Sequence, residues 1–198
     1  MPMTAPMILT LLRIVLIPVL VLFFYLPYDW ANLACVVIFV SAALTDWLDG
    51  YVARKLGLLS RFGAFLDPVA DKLMVTTALV LLVQSPPELI AHPVVFTLAA
   101  AIIIGREITI SALREWMSEI GERARVAVSV IGKLKTIFQM TSISFLLYQD
   151  DIAFLPIALL GELMLYLAAG LTLWSMWKYL RAAWPLMSDQ IRDKETVS

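Results

Sequence analysis

Six apolar runs organise the chain, separated alternately by short turn-rich segments and by longer segments dense in charge. They extend from about Met7 to Leu26, Ala31 to Thr45, Leu73 to Val83, Val94 to Ile104, Val126 to Tyr148 and Phe154 to Tyr179. A helix needs about 20 apolar residues to cross a hydrocarbon core, and three of these runs reach that length only if the helix continues into its charged neighbour. The charged ends are therefore expected to be interfacial or functional. Helices are the expected form because backbone groups in hydrocarbon need partners within their own segment, and no alternating barrel-strand pattern is visible. The pattern predicts an all-α integral membrane protein with six transmembrane helices. Pro86, Pro87 and Pro93 break the connector before the fourth run, and Pro156 falls near the start of the last. No linker marks a second domain, so residues 1–187 are read as one membrane domain and residues 188–198 as a polar, loosely ordered tail.

Composition sharpens this picture. The chain of 198 residues is 61% hydrophobic and 16% charged, with a mean hydropathy of +0.87, well outside the range of a water-soluble domain. Fifteen Lys and Arg nearly balance sixteen Asp and Glu, which gives no sign of a nucleic-acid partner. The first run lacks a basic leader and a small-residue cleavage site, so it reads as a retained span, with Arg13 marking its start at a membrane surface. Cys35, the lone cysteine, is expected to be a small buried hydrophobe.

The placement of charge gives the orientation. All fifteen basic residues fall at Arg13, from Arg54 to Lys72, from Arg106 to Lys135, or from Lys178 to Lys194. The connectors Pro27 to Trp30, Gln84 to Pro93 and Gln149 to Ala153 carry none, only Asp29, Glu88, Asp150, Asp151 and His92. The positive-inside rule then puts both termini and the two basic loops on the cytoplasmic side. His92 lies on the opposite side and is read as interfacial. The six Trp residues fall near predicted interfaces and read as an aromatic belt. Glu162, an isolated carboxylate in the last run, is expected to have an interhelical partner.

Four aspartates carry the chemistry. Asp46 and Asp49 are three apart, and Asp67 and Asp71 four apart, so each pair shares one face of a helix. The segment Lys55 to Phe62 is long enough for a turn that folds the two helices into an antiparallel hairpin, and Pro68 can occupy the first turn of the second. Four carboxylates at close range cannot all stay ionised without compensating positive charge. Oxygen-only ligation suits Mg²⁺ or Mn²⁺, and two such ions would form a clamp for displacement at phosphorus. Gly50 and Ala53, one turn apart, leave room for a bulky ligand, and Arg54 reaches towards it. The competing readings are salt bridges to Arg54, Arg61 and Lys72, and a cation-coupled transporter. The transporter should carry its acids near the membrane midplane, whereas these sit at cytoplasmic helix ends.

The string Asp46-x-x-Asp49-Gly50-x-x-Ala53-Arg54, followed by Gly63-x-x-x-Asp67-x-x-x-Asp71, resembles the complete signature of the CDP-alcohol phosphatidyltransferase family. It fixes eight identities across 26 positions. The similarity continues through Phe62 to Pro68, Gly105-Arg106-Glu107 and Gly132-Lys133-x-Lys135-Thr136. One departure is near the start, where family members often have Asn shortly before a Thr-x-x-Arg element and this chain has Thr4 before Thr10-Leu11-Leu12-Arg13.

The resemblance implies transfer of a phosphatidyl group from CDP-diacylglycerol to sn-glycerol 3-phosphate, with release of CMP. Sister enzymes using inositol or serine share the aspartates, so the later motifs choose the alcohol. It implies two Mg²⁺ or Mn²⁺ ions held by Asp46, Asp49, Asp67 and Asp71, with Asp71 also taking the proton from the attacking hydroxyl. Gly50, Ala53, Arg54, Ser60 and Gly63 would form the CDP-diacylglycerol site, and Arg106, Arg123, Lys133 and Lys135 are the candidates for the acceptor phosphate. Each of those four could instead be a positive-inside anchor. Glu107 is a candidate to orient Arg106 or a neighbouring basic group. A homodimer among membrane lipids, in a bacterial cytoplasmic membrane with the active site facing the cytoplasm, is also implied.

Overall fold

A computed structural model describes residues 5–56, 61–88, 90, 92–119, 130–151 and 155–195. The described residues form six α-helices: α1 (Ala5–Phe24), α2 (Trp30–Leu56), α3 (Arg61–Gln84), α4 (Pro93–Glu119), α5 (Val130–Tyr148) and α6 (Ile157–Glu195). The helices do continue from the apolar runs into the charged segments: α2 extends from Thr45 through the first aspartates to Leu56, and α4 from Ile104 through Arg106 to Glu119. Among the described residues, three stretches are long and apolar enough to cross a membrane: Met7–Phe24, Pro93–Met117 and Ile157–Arg181. Leu22, Val94, Trp177 and Trp184 are each about two-thirds exposed or more, at 67%, 73%, 67% and 69%. Large apolar side chains displayed in such numbers suit lipid as the surrounding solvent.

The chain divides into two compact units, one formed by residues 1–93 and 141–163, the other by residues 94–140 and 164–198. In the first, α1 packs along α2 and α3, and α2 meets α3. The buried positions follow the helical period: Ala31, Cys35, Phe39 and Ala42 on α2, and Ala70, Met74, Ala78 and Leu82 on α3. Alternation of alanine with larger side chains lets the helix backbones approach closely. Cys35 is buried and free, as its sequence context suggested. Glu162 is buried and has a partner.

The same unit contains a tight contact between the end of α5 and the start of α6. The Ser142 hydroxyl donates to the carbonyl of Gly161 at 2.7 Å. A Cβ at Gly161 would lie 2.9 Å from Leu146 Cγ, 3.0 Å from Phe145 Cβ and 3.2 Å from the Leu146 nitrogen. Those separations include backbone and the root of a side chain, which cannot swing away. Gly161→Val is therefore expected to destabilise the protein by about 1–3 kcal/mol, the usual cost of overpacking. A lowered thermal midpoint in detergent micelles checks this, and an unchanged midpoint would mean that the helices separate freely there.

In the second unit, α4 buries Phe96, Ala99, Ala100, Ile103, Arg106, Ile110, Leu113 and Met117, a stripe at three- and four-residue spacing. Ile110, Leu113 and Met117 cluster with Tyr179 of α6, and Trp116 and Met176 pack against them. Since Arg106 meets Ser175 and the later cluster meets Tyr179, α4 and α6 run in the same direction. Outside this core, Arg114 lies over the Tyr179 ring at 5.7 Å and Lys178 over Trp174 at 5.5 Å.

Four sequence expectations change. Pro68 is not in the first turn of its helix, because α3 already begins at Arg61 and Pro68 falls within it. Proline there removes the donor to the carbonyl four residues back, a loss that helices at membrane depth tolerate when neighbours satisfy the freed group. Arg13 does not open α1: it lies two turns inside and is buried, with Thr10 one turn before it also buried. The turn expected over Lys55 to Phe62 is shorter, because Lys55 and Leu56 belong to α2 and Arg61 and Phe62 to α3. Finally, α6 continues through the polar tail to Glu195 instead of ending near Tyr179.

Candidate active site

The aspartate signature lies on two consecutive helices, but inside them rather than at their tips, because α2 continues past it to Leu56 and α3 already begins at Arg61. Positions 46, 49, 50, 53 and 54 lie on the last turns of α2, and positions 63, 67 and 71 on the first half of α3. Helical geometry puts 46 and 49 one turn apart, and likewise 67 and 71. The helices themselves approach to the edge of the connecting segment, with α2 ending at Leu56 and α3 starting at Arg61. Ser60 and Arg123 lie outside the described residues. So do the side chains of Asp46, Asp49, Ala53, Arg54, Asp67 and Lys133, whose backbones, like those of Gly50 and Gly63, are helical. Asp71 is described: its side chain is exposed and has a partner, as does the half-buried Lys72 beside it.

Among the described residues, no three His, Cys, Asp or Glu side chains are grouped to hold a metal ion. Of the four aspartates, only Asp71 belongs to that described set. The donor chemistry fits a hard divalent cation, since all four candidate ligands are carboxylates, and neither His92 nor Cys35 belongs to the segment that carries them.

A second polar centre lies among the described residues, its two cations buried and its carboxylate half-buried. Arg106 of α4 is 7% exposed and Lys135 of α5 only 1%. The Glu107 carboxylate lies between them. Arg106 Nη1 donates to Glu107 Oε1 at 3.1 Å, and Lys135 Nζ donates to the same oxygen. Arg106 Nη2 donates to Ser175 Oγ of α6 at 3.2 Å, and the Ser175 hydroxyl donates to the carbonyl of Thr172 at 2.9 Å. Among the described residues, two buried cations share one carboxylate, which leaves a net charge of +1 where charge is expensive unless matched. An anion is the group such a centre can attract.

These contacts bear on several readings that sequence leaves open. Positive-inside anchors keep their charged ends in water. Arg106 and Lys135 are buried, tied by a carboxylate that sequence could offer only as a candidate. Ser175, which binds Arg106, and Thr172, whose carbonyl accepts from Ser175, are missed by sequence reasoning, as is Gln139, buried like them. The available signal is faint: each is a polar residue inside an otherwise apolar span, and Gln139 stands one helical turn after Lys135.

Residues 3–174, which include both the aspartate signature and the buried basic centre, match the family model described as CDP-alcohol phosphatidyltransferase. The chain belongs to the CDP-alcohol phosphatidyltransferase family. It is thus a phosphatidyltransferase, and enzymes of this family generally use divalent metal ions. Similar proteins extend the comparison over nearly the whole chain. One from Yersinia pestis (strain Pestoides F) is 53% identical over 184 residues, covering 93% of this chain and 97% of the relative. One from Yersinia enterocolitica serotype O:8 is 54% identical over the same share of each. Another from Sodalis glossinidius (strain morsitans) is 54% identical over 92% of this chain and 96% of the relative. All three carry the name CDP-diacylglycerol–glycerol-3-phosphate 3-phosphatidyltransferase. Within the family, then, the chain resembles members named for a phosphorylated acceptor, and the net positive charge at Arg106, Glu107 and Lys135 suits one.

Proposed function

We propose that the chain transfers the phosphatidyl group of CDP-diacylglycerol to sn-glycerol 3-phosphate, giving phosphatidylglycerol phosphate and CMP. The observation that carries this reading is the buried centre at Arg106, Glu107 and Lys135, whose surplus cation offers an acceptor phosphate what inositol and serine, having none, do not need. The relatives' shared name and the filled aspartate signature point the same way.

On this reading Asp71 takes the proton of the acceptor hydroxyl as its oxygen attacks the lipid-side phosphorus, and the bond from that phosphorus to CMP breaks. Asp46, Asp49 and Asp67, with Asp71, would hold two Mg²⁺ or Mn²⁺ ions, which when bound neutralise the diphosphate and the departing CMP. Gly50, Ala53 and Gly63 leave space for the cytidine diphosphate, and Arg54 and Ser60 hold it. Arg106 and Lys135 bind the acceptor phosphate, joined by Arg123 and Lys133 from the basic segment. Six membrane crossings, both termini and the active site at the cytoplasmic face of a bacterial inner membrane, and assembly as a homodimer complete the reading. The topology draws its support from the basic residues apart from the buried Arg13, Arg106 and Lys135, none of which falls in the connectors Pro27 to Trp30, Gln84 to Pro93 or Gln149 to Ala153.

The test is CMP release by purified protein supplied with CDP-diacylglycerol and Mg²⁺ or Mn²⁺. Release should require glycerol 3-phosphate and stop on chelation. Equal release with inositol or serine would assign a sister reaction, and ion flux in sealed vesicles without any nucleotide lipid would assign a transporter. In the same assay, Arg106→Ala or Lys135→Ala should raise the acceptor KM by about tenfold or more, in line with the loss of one charge-assisted hydrogen bond. An unchanged KM would return both residues to a structural role.

A further inference from the structure

Three buried polar atoms of the second unit have no hydrogen-bond partner among the described residues, one on each helix: Arg106 Nε on α4, Gln139 Oε1 on α5 and Thr172 Oγ1 on α6. The side chains that carry them are more than nine-tenths buried, Gln139 at 3% and Thr172 at 0% exposure. An orphaned buried polar group costs free energy that a protein seldom tolerates without a use. By type, a carbonyl oxygen that only accepts, a hydroxyl that accepts and donates, and an N–H that only donates are the partners that a hydroxyl-bearing anion requires.

Their placement is ordered along the helices. Lys135 and Ser175 mark the level of the charged centre through their contacts with Glu107 and Arg106. Gln139 stands one turn from Lys135 on the same face of α5, and Thr172 one turn from Ser175 on the same face of α6. Both steps lead towards the segment that connects α5 to α6. One turn is about 5 Å of axial rise, a span that a three-carbon chain attached to a phosphate covers. The Arg106 guanidinium is fixed for such a role, with Nη1 on Glu107 and Nη2 on Ser175 and Nε left over.

We infer that Gln139 and Thr172 determine which phosphorylated alcohol the site accepts, by hydrogen bonding the non-reacting hydroxyl of the acceptor while Arg106 and Lys135 hold its phosphate. The inference rests on the acceptor reading proposed above and extends it to residues outside the family signature. Gln139 Oε1 takes the hydrogen of the C2 hydroxyl, and Thr172 donates to that hydroxyl's oxygen. An acceptor lacking the C2 hydroxyl leaves both side chains unpaired, which is how polar sites reject deoxy analogues strongly.

The experiment compares sn-glycerol 3-phosphate with its 2-deoxy analogue, 3-hydroxypropyl phosphate, as acceptors for CMP release by the full-length protein. The ratio of kcat/KM for the two, measured on one preparation, is independent of the fraction of protein correctly folded. The unaltered protein should favour sn-glycerol 3-phosphate by at least about tenfold. Gln139→Met and Thr172→Val should bring that ratio close to one, mainly by raising KM for the natural acceptor, and Thr172→Ser should keep it. A ratio that persists in the Gln139→Met and Thr172→Val variants, with only stability altered, would mean that these atoms bind buried water and would overturn the inference alone. Absence of acceptor-dependent CMP release from the unaltered protein would instead overturn the acceptor reading, and this inference with it.

Discussion

Replacing Asp71 with asparagine is expected to lower turnover by about 10²- to 10⁴-fold, the usual contribution of a positioned general base. The amide keeps the size and the helix position of the carboxylate but cannot accept a proton from the attacking hydroxyl. Asp71 is suited to the proposed role because its exposed carboxylate stands in the first half of α3, one turn after Asp67. Binding of CDP-diacylglycerol should survive, since the remaining aspartates and Arg54 still contact the donor on the proposed reading. A single-turnover measurement with pre-bound donor separates the two effects. Turnover near that of the unaltered protein would remove Asp71 from proton transfer, and loss of donor affinity in proportion to turnover would make it a ligand only.

Glu107→Ala should be the most damaging change outside the aspartates. It leaves Arg106 and Lys135 buried beside each other with no intervening carboxylate. Breaking a buried pair by removing one partner costs about 3–5 kcal/mol, because the remaining charge stays desolvated. Here two cations would remain, so the cost falls at the upper end, enough to consume much of a typical stability margin. The expected result is a collapse of yield or of the thermal midpoint in detergent, with partial recovery in Glu107→Asp. A midpoint within about a degree or two of the parent, far less than a loss of this size produces, would mean that the carboxylate is dispensable and that the cations find water.

Much of this architecture is legible in the sequence. The six helices follow from the apolar runs, and their continuation into charged segments follows from the shortness of those runs. The aspartate face on α2 and the one on α3 follow from three- and four-residue spacing alone. Other features depend on tertiary contacts that periodicity does not encode. A basic residue beside a helix looks the same whether it reaches towards water or turns inward, so Arg106 and Lys135 can be singled out without revealing their burial. Glu107 acquires its role only because α5 brings Lys135 to it, and Ser175 only because α6 brings it to Arg106. Pro68 departs from expectation because helix starts are set by local hydrogen bonding and capping, and α3 begins nearly two turns before the proline. The extension of α6 to Glu195 overrides the polarity of the tail in the same way, since the helical backbone, once nucleated in an apolar span, propagates at little further cost.

The most direct measurement is the fate of radiolabelled sn-glycerol 3-phosphate incubated with purified protein, CDP-diacylglycerol and Mg²⁺. Phosphatidyl transfer predicts that label enters the chloroform phase in a lipid of the mass of phosphatidylglycerol phosphate, one molecule for each CMP released. Release of CMP while the label stays in water would contradict it, because the donor would then be cleaved without passing its phosphatidyl group to glycerol phosphate.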